Sequence, residues 1–171
     1  MIKNTAQLFS ANIDTPIGQL LAIANDKALW ALSFIDSPKH QYAIDRVTSK
    51  TCSDIKQEGN AITDQITREL SAYFNGDLTA FKTPLHFVGT PFQIRVWQAL
   101  QRIPTGTTES YSTLATMIGK PTATRAVANA NGANLLSIVV PCHRIIQKDG
   151  SLGGYASGTP LKAWLLKHES R

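Results

Sequence analysis

Two apolar runs separated by three turn-forming residues constrain this chain most. Residues 17–24 (IGQLLAIA) and 28–34 (ALWALSF) flank Asn25-Asp26-Lys27, and such runs around a polar turn read as an antiparallel hairpin. Their alternation is imperfect, so both faces of the hairpin need cover. Ile62, Ile66, Leu70 and Phe74 recur every four residues, which predicts an amphipathic helix ending near Asn75-Gly76. The polar residues 48–60 between them read as a loop. This first stretch gathers no reactive side chains and reads as scaffold.

After a linker at 76–89 that contains Pro84, the pattern turns helical. Thr90 followed by Pro91 supplies a capping hydroxyl and a proline at the first helical position, with Phe92, Val96, Trp97, Leu100 and Ile103 as a buried stripe and Pro104-Thr105-Gly106 as the stop. Ser110 is placed to cap a helix over 111–118, with Leu114, Ala115 and Ile118 inward and Gly119 as terminator. Pro121 can open another helix reaching about Ala130, with Ala123, Ala126, Val127 and Ala130 on or near one face. Helix, tight turn, helix is the outline of a helix-turn-helix, although any small helical hairpin shares it. Residues 160–168 predict a last helix with Leu161, Trp164, Leu165 and His168 inward. The expected fold class is therefore α/β. A small N-terminal α/β half (1–85) with a short antiparallel sheet precedes a mostly helical C-terminal half (86–171) containing a helix-turn-helix.

Charge separates the halves. Residues 1–85 carry eight Lys/Arg against nine Asp/Glu, and residues 86–171 carry nine against three. All the excess positive charge lies where a polyanion would have to bind. No apolar run reaches membrane-spanning length and no charged-then-apolar leader opens the chain, so the expectation is a cytoplasmic protein without membrane contact. Cys52 and Cys142 are the only cysteines and there are four histidines; this argues against a zinc cluster, and no nucleotide-cofactor loop is present. Cys52 reads as a buried packing residue. Cys142 differs, because an apolar approach (135–140) ends abruptly in Pro141-Cys142-His143-Arg144. Nearby positive charge lowers a thiol pKa and yields the reactive thiolate.

The run Pro141-Cys142-His143-Arg144-Ile145-Ile146 resembles the active-site motif of the O6-alkylguanine-DNA alkyltransferases. Ser110-Tyr111, Thr124-Arg125-Ala126-Val127, Asn134, Leu152-Gly153-Gly154-Tyr155 and Trp164-Leu165-Leu166-Lys167-His168-Glu169 follow the family's order and spacing. The match covers roughly 90–169. It implies a single-turnover transferase needing neither cofactor nor metal, acting on double-stranded DNA that contains alkylated bases, with no obligate protein partner. Cys142 would be the alkyl acceptor, His143 a base acting through an ordered water, and Glu169 the group that orients His143. Tyr111 would donate to the departing base. Asn134 would tie the helix-turn-helix to the active-site turn, while Val140, Gly154, Tyr155 and Ser157 would line the base pocket. The target nucleotide would rotate out of the stack, with Arg125 filling its place. The small residues Ala123 and Ala126 would permit close approach to the minor groove, and Lys120, Arg95 and Arg102 would meet phosphates. Read without the resemblance, Glu169 is a solvated terminal residue, Tyr111 a packing wedge, Asn134 a turn former and Arg125 a surface arginine.

One departure concerns substrate range. Ala156-Ser157-Gly158 replaces a loop that in several relatives offers a hydroxyl at the position of Ala156, so discrimination is expected to relax toward O4-alkylthymine or larger alkyl groups, with Ser157 as the compensating hydroxyl. Three rival classes predict different behaviour. A lesion-binding relative would lack Cys142, a helix-turn-helix transcription factor would not depend on it, and a cysteine hydrolase would turn over.

Overall fold

The computed structural model describes residues 6–51 and 53–171; Cys52, expected to be a packing thiol, lies outside them. The chain divides into two compact units, residues 1–88 and 89–171.

In the first unit, β1 (Leu8–Thr15), β2 (Gly18–Ala24) and β3 (Leu29–Phe34) form an antiparallel meander, and β4 (Ile55–Lys56) adds to β1 in parallel, giving the order β3-β2-β1-β4. The predicted hairpin turn is made by the Asn25 side chain. Its Oδ1 accepts the N–H groups of Lys27 and Ala28 at 2.9 and 2.8 Å, an Asx turn. All six residues of β3 are buried, which is why the alternation there is imperfect. Helix α1 (His40–Thr48) packs on β3, and α2 (Ala61–Phe74) packs on β1 and β2.

Helix α2 buries Ile62, Ile66, Leu70 and Tyr73, so Tyr73 takes the place expected of Phe74. The cause is helical drift: four-residue steps advance about 40° too far each turn, and after three steps Phe74 has rotated about 120° away while Tyr73 has come round to within about 20° of Ile62. Each such side chain contributes roughly 1.5–3 kcal/mol on burial. Two further expectations need correction. Residues 48–60 are not all loop, since Ile55 and Lys56 pair with Leu8 and Phe9; a two-residue strand has no period to read. The 76–89 segment is also more than a linker. Leu29 N–H donates to Pro84 O and His86 N–H to Leu29 O, both at 2.8 Å, so the segment covers the outer edge of β3. Glu69 fixes the residues just before this contact by accepting the N–H groups of Lys82 and Thr83 and the Thr83 hydroxyl.

The second unit contains α3 (Pro91–Leu100), β5 (Glu109–Ser110), α4 (Tyr111–Met117), α5 (Thr124–Gly132), a 3₁₀ turn (Cys142–Arg144), β6 (Ile145–Ile146) and α6 (Thr159–Glu169). Thr90 and Gln93 form a reciprocal capping box on α3, as the Thr-Pro start predicts. Trp97 Nε1 donates to Ala130 O at 2.8 Å in the interior, locking α3 to α5. Helix α4 ends at Gly119, whose φ is +72°. Gly119 N–H bonds Thr116 O and Lys120 N–H bonds Ala115 O, a Schellman stop. Helix α5 begins at Thr124 rather than at Pro121, because Ala123 N–H bonds back to Lys120 O and closes one more turn first. Among the described residues no helix is long and apolar enough to cross a membrane.

Candidate active site

The approach to Cys142 is built by Asn134. Its Oδ1 accepts Leu136 N–H at 2.9 Å, an Asx turn, while its Nδ2 donates to Val140 O at 2.9 Å and reaches Leu136 O at 3.3 Å and Cys142 Sγ at 3.2 Å. Between these anchors the backbone is forced into tight turns. Ile138 has φ +71°, and Val139 N–H donates to Ser137 O at 2.8 Å. This is a γ-turn of the strained kind, on a β-branched residue, and costs on the order of 1–3 kcal/mol. Pro141, at φ −82° and ψ 62°, makes a relaxed inverse γ-turn in which Cys142 N–H donates to Val140 O at 2.8 Å. The proline's fixed φ thus sets where Cys142 enters the 3₁₀ turn. Val140 is fully buried and Cys142 is 6% exposed.

The next two residues both point at Glu169, the last residue of α6. His143 Nε2 lies 2.8 Å from Glu169 Oε1, and Arg144 grips the same carboxylate through Nε (2.9 Å to Oε2) and Nη2 (2.9 Å to Oε1). Arg144 Nη1 also donates to Ile103 O at 2.6 Å and Nη2 to Thr105 Oγ1 at 3.0 Å. All three ionisable side chains are buried. Burial alone would raise the Glu169 carboxyl, but the hydrogen bonds from His143 and Arg144 outweigh it and hold the group well below the usual carboxylate range. Burial is the leading effect on His143 and lowers its pKa despite the carboxylate, so the imidazole is neutral near pH 7. A carboxylate only accepts, so Nε2 carries the hydrogen and Nδ1 holds the lone pair. That Nδ1 is buried with no hydrogen-bond partner in the protein. The turn at 104–106 fits closely: Gly106 has φ +81°, and a Cβ there would lie 3.0 Å from Glu169 O.

Tyr111 arrives by strand pairing. β5 runs parallel to β6 with Glu109 opposite Ile145 and Ser110 opposite Ile146, which sets the start of α4 beside the segment that follows Cys142-His143-Arg144. Burial raises the Tyr111 phenol, and negative charge on Cys142 raises it further, so the hydroxyl stays protonated as a donor. A Cβ on Gly153 would lie 3.5 Å from Tyr111 Oη, and Gly153 has φ +68°. The conformational demand in the 152–155 loop thus falls on Gly153 and not on Gly154, where a Cβ would meet nothing. Tyr155, Ala156 and Ser157 are half-buried. The loop is clamped by Lys162, which is fully buried and donates from Nζ to Ile145 O, Leu152 O and Gly154 O. Burial lowers the Lys162 pKa.

The helix-turn-helix presents Lys120, Arg125 and Ala126 to solvent with Ala123 half-buried, while Val127, Ala130 and Asn131 turn inward. Ala126 is therefore on the outer face and does not share the buried one. Arg95 and Arg102 are exposed. Helix α6 also differs from expectation. Its buried face is Lys162, Leu165 and Glu169, with Leu161, Trp164 and His168 only half-buried. Sequence reasoning therefore missed Arg144, Lys162 and Asn131 as site-building residues. The 162–165–169 spacing is a helical face in its own right and could have revealed Lys162. Nothing periodic marks Arg144.

Residues 91–171 match the family described as 6-O-methylguanine DNA methyltransferase, DNA binding domain, and residues 8–87 match its ribonuclease-like domain. A methylated-DNA–protein-cysteine methyltransferase of Methanosarcina barkeri is 42% identical over 158 residues, covering 92% of this chain and 94% of the relative. The chain belongs to the 6-O-methylguanine DNA methyltransferase family. A Salmonella typhimurium methyltransferase of the same name is 39% identical over 166 residues, covering 95% and 96% of the two chains. The crystal structure of Mycobacterium tuberculosis OGT in complex with DNA superposes with a TM-score of 0.80 at 38% identity, covering 96% of this chain and 92% of that one. The methyltransferase fold seen there has the same sheet-then-helices layout.

Proposed function

We infer that this protein repairs DNA directly, transferring a methyl or other alkyl group from O6-alkylguanine irreversibly to the sulfur of Cys142. The observation that carries this reading is a thiol fixed by Asn134 and Pro141 at the mouth of a turn whose next residue is a neutral histidine backed by a buried carboxylate. Family membership supplies the substrate class.

In the proposed reaction His143 Nδ1 takes the Cys142 proton through one bridging water, and Glu169 stabilises the imidazolium that forms. The sulfur forms a bond to the alkyl carbon as the bond from that carbon to O6 breaks. The released electron pair passes to the purine, which takes a proton from the Tyr111 hydroxyl; the proton held by His143 restores the phenol. The products are guanine and an S-alkylated cysteine, and the thioether has no easy route back, so each molecule acts once. Arg125 would occupy the stack after base rotation, with Ala123 and Ala126 against the minor groove and Lys120 on phosphate. Tyr155, Gly154, Ser157 and Val140 would form the base pocket, and the Ala156 exchange extends the range toward O4-alkylthymine. A cytoplasmic setting, which keeps thiols reduced, suits this chemistry. Counting guanines restored per protein molecule, with duplex in excess, tests the reading: one per wild-type chain and none for Cys142→Ser is expected. Continued turnover would overturn it in favour of a hydrolase.

A further inference from the structure

Asn131 is a polar side chain in the wrong place for a helix core. It sits on the inner face of α5, 6% exposed, six residues after Arg125. Its Nδ2 donates to Cys142 O at 3.4 Å, across eleven residues of chain, and its Oδ1 is buried with no hydrogen-bond partner. An unmatched buried acceptor opposes folding, and an apolar side chain of similar volume would avoid the cost. Rotating the amide would place Oδ1 against the Cys142 carbonyl, acceptor facing acceptor, so the observed orientation is the one that permits an attraction.

We propose that Asn131 is a positioning residue that ties the acceptor cysteine to the DNA-facing helix through the Cys142 carbonyl. Two amides then hold one short segment: Asn134 grips Val140 O and Cys142 Sγ, and Asn131 grips Cys142 O. Fixing that carbonyl fixes the plane from which the Cys142 side chain projects. At 3.4 Å the Asn131 bond is longer than the usual 2.7–3.2 Å range. A shift of α5 toward the turn by a few tenths of an ångström would bring it to full strength. Any force that seats α5 on DNA therefore also steadies the sulfur. In-line attack on the alkyl carbon is sensitive to such aim, since misplacement by about 1 Å can cost ~100-fold in rate.

This inference rests on the reading of Cys142 as alkyl acceptor. Its test uses single-turnover transfer from duplex DNA carrying one O6-methylguanine, measured over a range of protein concentration so that the rate at saturation and the Kd are obtained separately. Asn131→Leu is expected to melt about 2–6 °C higher than wild type, because the unmatched acceptor is gone, yet to transfer about 5–20-fold more slowly at saturation with its Kd unchanged. Asn131→Ser, too short to reach the carbonyl, keeps the proposal testable if the leucine variant does not fold; it is expected to be equally slow. Saturated rates equal to wild type in either folded variant overturn the tie, as does a loss that appears only in Kd. Wild type that binds the duplex but transfers nothing overturns the acceptor reading itself, an outcome distinct from both.

Discussion

The two units of this protein bury different kinds of side chain. Among the described residues of the first, the buried polar groups are all neutral: Ser10, Asn25, Ser33, Thr51, Thr63 and Thr83. The second buries His143, Arg144, Lys162 and Glu169, together with Asn131. An apolar core with neutral hydrogen-bonded polar groups is the economical way to build a stable fold, whereas each buried ion carries a desolvation penalty of several kcal/mol that its partners only offset. The second unit also holds Ile138 in a strained turn beside the thiol. Concentrated buried charge and backbone strain mark where a structure serves chemistry rather than stability. The first unit shows what the same chain looks like without that demand.

The largest test of this contrast is removal of the shared carboxylate. Glu169→Gln leaves Arg144 buried without its counter-ion and is expected to cost about 3–5 kcal/mol of stability and to slow transfer in the molecules that remain folded. Ile66→Ala in the first unit is expected to cost a similar ~2–5 kcal/mol while leaving the transfer rate per folded molecule unchanged. Denaturant titration paired with single-turnover kinetics reads both. If the two variants lose rate equally, the buried ions are ordinary structural elements and the contrast fails.

The pH dependence is the next effect in size. His143 has a folded pKa below its ordinary 6.5, so below about pH 6.5 the unfolded chain takes up a proton that the folded state resists, and stability falls. Glu169 has a folded pKa below its ordinary 4.5; its contribution is present above pH 4.5 and is lost as pH falls below that. Each uncompensated proton steepens the decline by about 1.4 kcal/mol per pH unit. Stability measured from pH 8 down to about pH 2 should show both losses, and Glu169→Gln should lack the lower one. A flat profile across pH 6.5 would mean that His143 is not held neutral by burial.

Much of this was legible in the residues, for reasons that differ by region. The hairpin, the end of α2, the start of α3 and the stop of α4 were readable because local chemistry sets them: the Asn25 turn, the Thr90-Pro91 cap, the Gly119 stop; α3 itself ends at Leu100, short of the Ile103 and Pro104-Thr105-Gly106 stop that the sequence suggests. Cys142 drew notice through the abrupt end of its apolar approach, whereas His143, Tyr111 and Glu169 stood out only through the family motif, since nothing in periodicity distinguishes one histidine from another. What escaped is what tertiary contact alone decides. Lys162 and Arg144 are cations that sequence counts as available to DNA, yet both are buried, leaving the seven other cations of residues 86–171 exposed. Strand β4 and the 84–86 cover on β3 exist only by pairing with distant residues. The smallest expected effect belongs to the legible class: Thr90→Ala should lose the cap of α3 and about 1 kcal/mol, with transfer unchanged, as read by thermal melting.

The central claim is that Cys142 is a single-use alkyl acceptor. Incubating the purified protein with excess duplex carrying one O6-methylguanine, then measuring intact and peptide masses, addresses it directly. One methyl increment per chain is expected, confined to the peptide containing Cys142, with guanine restored one for one. Tight binding with no mass change would contradict it and make the protein a damage-recognition factor.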